Sequence, residues 1–151
     1  MALLPRLHLK QKEIFMTIDI ADFFTDKNEK EGVWYEPVIN GKGIGIEFKI
    51  LGNSCDAAIR ASEEYDKALA AAEKELDVVK RARLKGEAMN KRIEVMVTDI
   101  RGKDGREILI NGQPLTYTKE NVMRILDESK AIKSEILDAF MTSETFMTRK
   151  D

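Results

Sequence analysis

Between Ala61 and Ile100 the apolar residues fall three and four apart, a spacing that brings them to one face only if the chain is helical. The series runs Ala61, Tyr65, Ala68, Ala72, Val79, Ala82, Met89, Ile93, Met96 and Ile100. Two positions in that register depart from the apolar rule: Glu75, whose neighbour Leu76 substitutes for it, and Gly86. Glu and Lys fill most of the other faces, often at the i,i+4 spacing that supports exposed helices. The segment therefore reads as one long helix or as two helices meeting near Gly86, since glycine costs about 1 kcal/mol in a helix interior relative to alanine. Asn53, Ser54, Cys55 and Asp56 supply N-caps for its start. The stripe packs within its own domain or offers a coiled-coil-like surface to a partner or a second copy. Alanine lets helices approach closely, and methionine adapts to irregular surfaces.

The elements before the stripe have a different period. Val33-Trp34-Tyr35-Glu36-Pro37-Val38 is aromatic and β-branched, Asn40-Gly41 is a turn signal, and Ile44, Ile46, Phe48 and Ile50 alternate with polar or small residues. Residues 32–51 thus read as a β-hairpin, with Pro37 placing its first strand on an edge. Thr25-Asp26-Lys27-Asn28 reads as a polar, linker-like run. After the stripe, the helical pattern stops at Arg101-Gly102, and a second turn unit spans Glu107 to Leu115. Thr118 reads as an N-cap with Glu120 in the first turn, and Tyr117 and Val122 are spaced for a hydrophobic staple. One helix then carries Val122, Met123, Ile125 and Leu126, and a last one Ile132, Ile136, Leu137 and Phe140, before a tail with Phe146 and Met147. The expected fold is α+β and mainly α: an N-terminal β-hairpin, a long or broken central helix and two shorter C-terminal helices. Residues 16–151 form a single domain in this reading, and residues 1–15 a leader or extension, because Met16 opens a segment that looks like a natural start.

The chemistry available is sparse. The one histidine, His8, lies in the leader, so a histidine-based triad has no base, and one Cys with one distant His makes no zinc site. Cys55 could carry a lowered pKa at a helix start, and Asp99, Asp104 and Glu107 cluster around a turn. An enzyme built on either is the minor reading. They read as an incidental thiol and a solvated loop. Gly41, Gly43 and Gly45 lie between two strands, not between a strand and a helix, so they read as a hairpin turn and not a phosphate loop. Trp34 and Tyr35 have no basic cluster beside them and read as packing residues, not a base-stacking pair. A net charge of −2 gives no pull toward nucleic acid or an anionic membrane. No run approaches the roughly 20 apolar residues of a membrane span, and a lone cysteine suits a reducing compartment. The expectation is a soluble, cytoplasmic, non-enzymatic protein without cofactor or metal.

At residues 88–146 the sequence resembles a known family. An amphipathic helix ends in Asp99-Ile100-Arg101-Gly102, a glycine-containing polar loop follows, and then comes Gly112-Gln113-Pro114-Leu115-Thr116-Tyr117-Thr118-Lys119-Glu120-Asn121-Val122 before two helices. This is similar to the step into paired C-terminal helices of the tail assembly chaperones of long-tailed bacteriophages. The order of elements after Met16 is similar as well. The resemblance implies a non-enzymatic assembly factor in the host cell cytoplasm. Such a factor coats the helical tape measure protein, keeps it soluble and helps recruit tail tube subunits. A tail-completion or adaptor protein retained in the virion is the alternative. For partner contacts, the sequence singles out Ile132, Ile136, Phe140, Met141, Phe146 and Met147, large apolar residues near the chain end that either cover the core or form an exposed patch. Full burial of Phe140 and Phe146 is the result that defeats that choice.

Overall fold

A computed structural model describes residues 17–148 of the chain. The leader proposed for residues 1–15, with His8, therefore lies outside the described residues. Helix accounts for 58% of the described chain and strand for 17%, so the fold is α+β with helix dominant.

The N-terminal part holds a 3-10 turn, Ile20–Phe23, and a short helix α1, Asp26–Glu31. The run Thr25–Asn28 is thus no linker. Thr25 takes the N-cap position, its carbonyl accepts from Glu29 N–H, and its hydroxyl bonds the Glu29 carboxylate at 2.9 Å, closing the first turn. The expected hairpin is present in a wider form. Strand β1, Val33–Tyr35, pairs antiparallel with β4, Ile46–Ile50, with Val33 opposite Ile50 and Tyr35 opposite Phe48. Inside the loop between them sits a two-stranded ribbon of β2, Val38–Ile39, and β3, Lys42–Gly43. Its turn residues Asn40 and Gly41 both have positive φ, 55° and 76°, the requirement of the tight turn that Asn-Gly favours.

β1 lies at an edge of the main sheet, whose order is β1-β4-β5. The third strand, β5, Val97–Gly102, is a correction to the sequence reading, which carried the helix through to Ile100. The reason is a β-bulge. Lys49 faces Asp99 and Ile50 faces Val97, so Thr98 is the extra residue, and Val97 and Ile100 both reach the buried face although they stand three apart. A bulged strand can therefore imitate helical spacing. The last residue of this strand, Gly102, has to be glycine because a Cβ there would collide with the Arg106 carbonyl. A second ribbon, β6 Leu109–Ile110 and β7 Gln113–Pro114, closes through Asn111-Gly112, again with two positive φ values.

The central helical segment is two antiparallel helices, α2 Asp56–Glu73 and α3 Val78–Met96. The break falls at residues 74–77, at the Glu75 irregularity, and Gly86 lies inside α3. Asp77 decides the position: its carboxylate accepts from Lys80 N–H at 2.9 Å and starts the second helix. Helix α4, Lys119–Glu128, starts at Thr118 as the sequence indicated, with the hydroxyl accepting from Asn121 N–H at 3.0 Å. Ser129 alone separates it from α5, Lys130–Met141, and caps that helix by accepting from Ile132 N–H.

The core forms where the inner face of the sheet meets the C-terminal end of α3, α4, α5 and a last 3-10 turn, Ser143–Phe146. Phe48, Ile50, Met96, Val97, Ile136 and Phe140 are its centre. Among the described residues, no apolar side chain between Ala58 and Met89 belongs to this core or packs against it. The outer two-thirds of the α2–α3 hairpin is thus an arm supported mainly by its own two helices.

Candidate protein-binding surfaces

The C-terminal residues chosen from sequence are mostly committed to the core. Phe140 and Phe146 are 2% and 1% exposed, and Ile136 is fully buried. Ile132 is half-buried and packs against the core, and Met147 is half-buried. Only Met141 stands clear. The physical reason is the turn after α5. It folds Ser143–Phe146 back under the body, where Asn28 Nδ2 donates to the Phe146 carbonyl at 2.8 Å and ties that turn to α1. Phe140 and Phe146 therefore hold the fold together and do not offer a patch.

Like Met141, Val38, Ile59 and Leu109 are exposed singly, and the remaining exposed apolar surface lies in three places. At the tip of the arm, Leu76 is 93% exposed, and Val78 and Val79 are 67% and 69% exposed. Three large aliphatic side chains exposed within four residues form an apolar cap, the kind of feature that marks interaction sites. The turn beneath them is well made. Lys80 and Lys85 pair with Glu75 and Glu73 across it, Arg81 donates to the Glu75 carbonyl at 3.3 Å, and Asp77 caps α3. The Lys85 contact is the main cause holding the Glu73 carboxyl below the usual range, and the Asp77 N–H does the same for Glu75.

The second place is a groove of about 630 Å³ along one side of the α2–α3 hairpin, where it meets the body. Its floor is alanine: Ala61, Ala68 and Ala88. Tyr65 stands in it, with the Arg92 guanidinium 5.2 Å from its ring centroid. Arg60, Lys91, Arg92 and Lys119 line it against two carboxylates, Glu64 and Glu94. The third place is the segment before α1, where Ile18, Ile20, Phe23 and Phe24 are between 44% and 69% exposed.

Several of the groups weighed for chemistry are engaged within the fold. Cys55 is buried and its thiol donates to the Gly52 carbonyl at 3.3 Å. Asp104 and Glu107 are exposed, while Asp99 accepts from the Ile100 N–H at 2.8 Å on the outer face of the sheet. Among the described residues, no group of three or more His, Cys, Asp or Glu side chains is placed to hold a metal. The glycine-containing loop holds a carboxylate of its own chain: Gly45 N–H donates to Glu36 at 2.8 Å, and Lys103 pairs with the other oxygen at 3.0 Å. The Lys103 bond, seconded by Gly45, lowers the Glu36 pKa. Trp34 lies on the outer face of the sheet under the Arg101 guanidinium, 3.9 Å from the ring centroid, and Glu47 fixes that guanidinium at 3.0 Å. Its ring is therefore covered by the protein's own cation. Tyr35 points inward and donates to Glu135 at 3.2 Å; burial, with the Glu135 charge and hydrogen bond, pushes its pKa up to about 12.

Among the described residues, no helix is long and apolar enough to cross a membrane. Comparison with protein-family models, with curated proteins and with solved structures finds no match to this chain.

The sequence pointed to the arm as a whole but missed its tip. The signal was the Glu75 irregularity: a register slip beside Leu76-Asp77-Val78-Val79 places a turn, with its capping aspartate, among apolar residues. The groove was half legible, since Ala61, Tyr65 and Ala68 belong to the helical stripe. Its cations come from faces of α2 and α3, and from Lys119, that only the hairpin geometry brings together.

Proposed function

We propose that this protein is a non-enzymatic assembly chaperone that binds apolar helical segments of a partner through the tip of its helical arm. The observation that carries this reading is the cap formed by Leu76, Val78 and Val79, three aliphatic side chains left in solvent on a well-made turn. A single exposed aliphatic residue is ordinary; a cluster at the far end of an arm has no role in the body's own packing. The surface around it is charged on most faces, which suits a factor that keeps an aggregation-prone partner in solution. Small, repeated apolar contacts also suit weak binding at many similar sites along one long chain, where total strength comes from number.

The identity of the partner follows from the resemblance in Gly112–Val122. It makes the partner the helical tape measure protein of a long-tailed bacteriophage and the tail tube subunits the proteins recruited afterwards, with the work done in the host cytoplasm. Met141 remains the one C-terminal contact residue in the proposal.

The test is co-expression with the long helical protein encoded beside this chain, followed by size-exclusion chromatography with light scattering. The expected result is a soluble complex with several copies of this chain per partner, and a partner that is insoluble alone. Leu76→Asp with Val79→Asp abolishes the complex while leaving the circular dichroism spectrum unchanged. Absence of any complex, together with this chain in purified particles, overturns the chaperone reading in favour of a tail-completion or adaptor protein.

A further inference from the structure

The groove on the arm and the segment before α1 are complementary to each other. The groove follows one face of α2 from Ala57 to Ala68, positions 57, 60, 61, 64, 65 and 68, so it is about 17 Å long at 1.5 Å per residue. Alanines on its floor leave room for bulky side chains to enter. Four cations against two carboxylates give it a charge of +2 in a chain whose total is −2. None of Arg60, Lys91, Arg92 and Lys119 takes part in an ion pair among the described residues.

The segment Thr17-Ile18-Asp19-Ile20-Ala21-Asp22-Phe23-Phe24 has the opposite character. It carries two carboxylates and no cation, and its large apolar side chains are mostly in solvent. It is also shaped. The Asp19 carboxylate accepts from Ala21 N–H at 3.0 Å, and Phe24 N–H returns to the Ala21 carbonyl at 3.1 Å, so Ile20–Phe23 holds a 3-10 turn although none of its residues is buried. Neither Asp19 nor Asp22 has an ion-pair partner among the described residues.

We infer that the groove between α2 and α3 is the docking site for the Ile18–Phe24 segment of a second copy of this chain. Phe23 and Phe24 enter over the alanine floor beside Tyr65, and Asp19 and Asp22 meet Arg60, Lys91 and Lys119 at the rim. Segment and groove are different surfaces, so the contact is heterologous: each copy has one groove to fill and one segment to give. Copies therefore join head to tail into a ring or an open chain. The inference is independent of the partner proposed above, because it involves neither the arm tip nor any foreign protein.

The test uses the full chain and two variants, both altered only at exposed positions. Phe24→Asp disables the segment and leaves the groove; Arg60→Glu with Lys91→Glu disables the groove and leaves the segment. Sedimentation velocity on the wild type is expected to show association that rises with concentration and weakens as salt is added. Each variant alone associates at least about tenfold more weakly, the usual scale for losing central contacts of an interface. Mixed together, the two variants form a discrete one-to-one dimer, since one intact segment and one intact groove remain. Unchanged melting curves show that both variants are folded. A wild type that stays monomeric at every concentration overturns the inference, whether its groove takes its own segment or only a foreign partner. Association unaffected by the variants, or a mixture that stays monomeric, overturns it as well.

Discussion

The body and the arm are built from the same chain by different means. In the body, Phe48, Phe140, Phe146, Ile136 and Met96 are almost fully buried against one another, so large apolar area leaves water at a few central positions. In the outer arm, the two helices meet over Ala72, with Leu69 and Leu84 only half-buried, and Leu76, Val78 and Val79 sit at the tip in solvent. Alanine contributes close helix approach but little burial. Two helices of 18 and 19 residues are long enough to persist with modest help from ion pairs. The difference teaches where to look for function: the body is occupied with its own stability, while the arm holds apolar groups that stability does not need.

The sharpest way to break this comparison is Phe140→Ala. Phe140 is 2% exposed and lies in the central cluster, so its removal is expected to cost about 3–5 kcal/mol, read as a shift of the denaturant midpoint. A cost under about 1 kcal/mol would mean that the body does not depend on its C-terminal helix. The next effect is smaller and belongs to the arm. Gly86 sits inside α3 with nothing within 4 Å of the position a Cβ would take, so Gly86→Ala gains helix propensity without a clash, about 1 kcal/mol. If the arm opens separately from the body, hydrogen exchange in residues 78–88 slows about fivefold while the global midpoint stays in place. A midpoint that moves by the full amount shows that arm and body unfold together.

Legibility in the sequence divides along the same line. Elements with a local cause could be read directly. Asn40-Gly41 demands two positive φ values, Thr118 has an N–H to cap at Asn121, and β4 alternates cleanly. What depends on distant neighbours could not. β5 was hidden because the Thr98 bulge gives Val97 and Ile100 a helix-like spacing, and its pairing with β4 is about fifty residues distant in sequence. For the arm, helix propensity leaves one long helix or a break near Gly86 open, whereas the capping Asp77 beside the Glu75 irregularity sets the break at residues 74–77. Among the candidate site residues, Phe140 and Phe146 are as apolar as Leu76 and Val79. Composition cannot separate them, because burial is set by which surface the turn at Ser143–Phe146 covers.

A third effect tests the border between the β-structure and α5. Glu135 accepts from both the Tyr35 hydroxyl and the Val38 N–H, at 3.2 and 2.7 Å, joining β1 and β2 to that helix. Tyr35 has its pKa raised from 10.0 to about 12 by burial and by Glu135, so the folded state holds this proton more tightly than the unfolded chain. Its contribution is fully present below pH 10 and is lost as pH rises from there to about 12. Absorbance titration should show Tyr35 ionising late, with Tyr117, whose pKa burial also raises, as a second late tyrosine; Glu135→Gln should bring Tyr35 alone back toward the ordinary value. The effect on stability is modest, because the side chain is partly solvated. A Tyr35 that titrates near 10 would remove this tie between the layers.

The smallest effect on stability is the most informative about function. Leu76→Asp replaces a side chain that is 93% exposed, so no buried area is lost and no cavity forms. The substitution is expected to change folding stability by less than about 0.5 kcal/mol, the ordinary range for surface positions. Removing an aliphatic group from water offsets the repulsion between the new carboxylate and its neighbours Glu75 and Asp77. Paired with the Phe140→Ala measurement, it separates two kinds of apolar residue. One lowers stability when removed and leaves partner binding to fail only through unfolding; the other leaves stability alone and removes binding directly. A loss of more than about 1 kcal/mol on Leu76→Asp would place the tip among the residues that hold the fold, and the arm would lose its claim to a separate role.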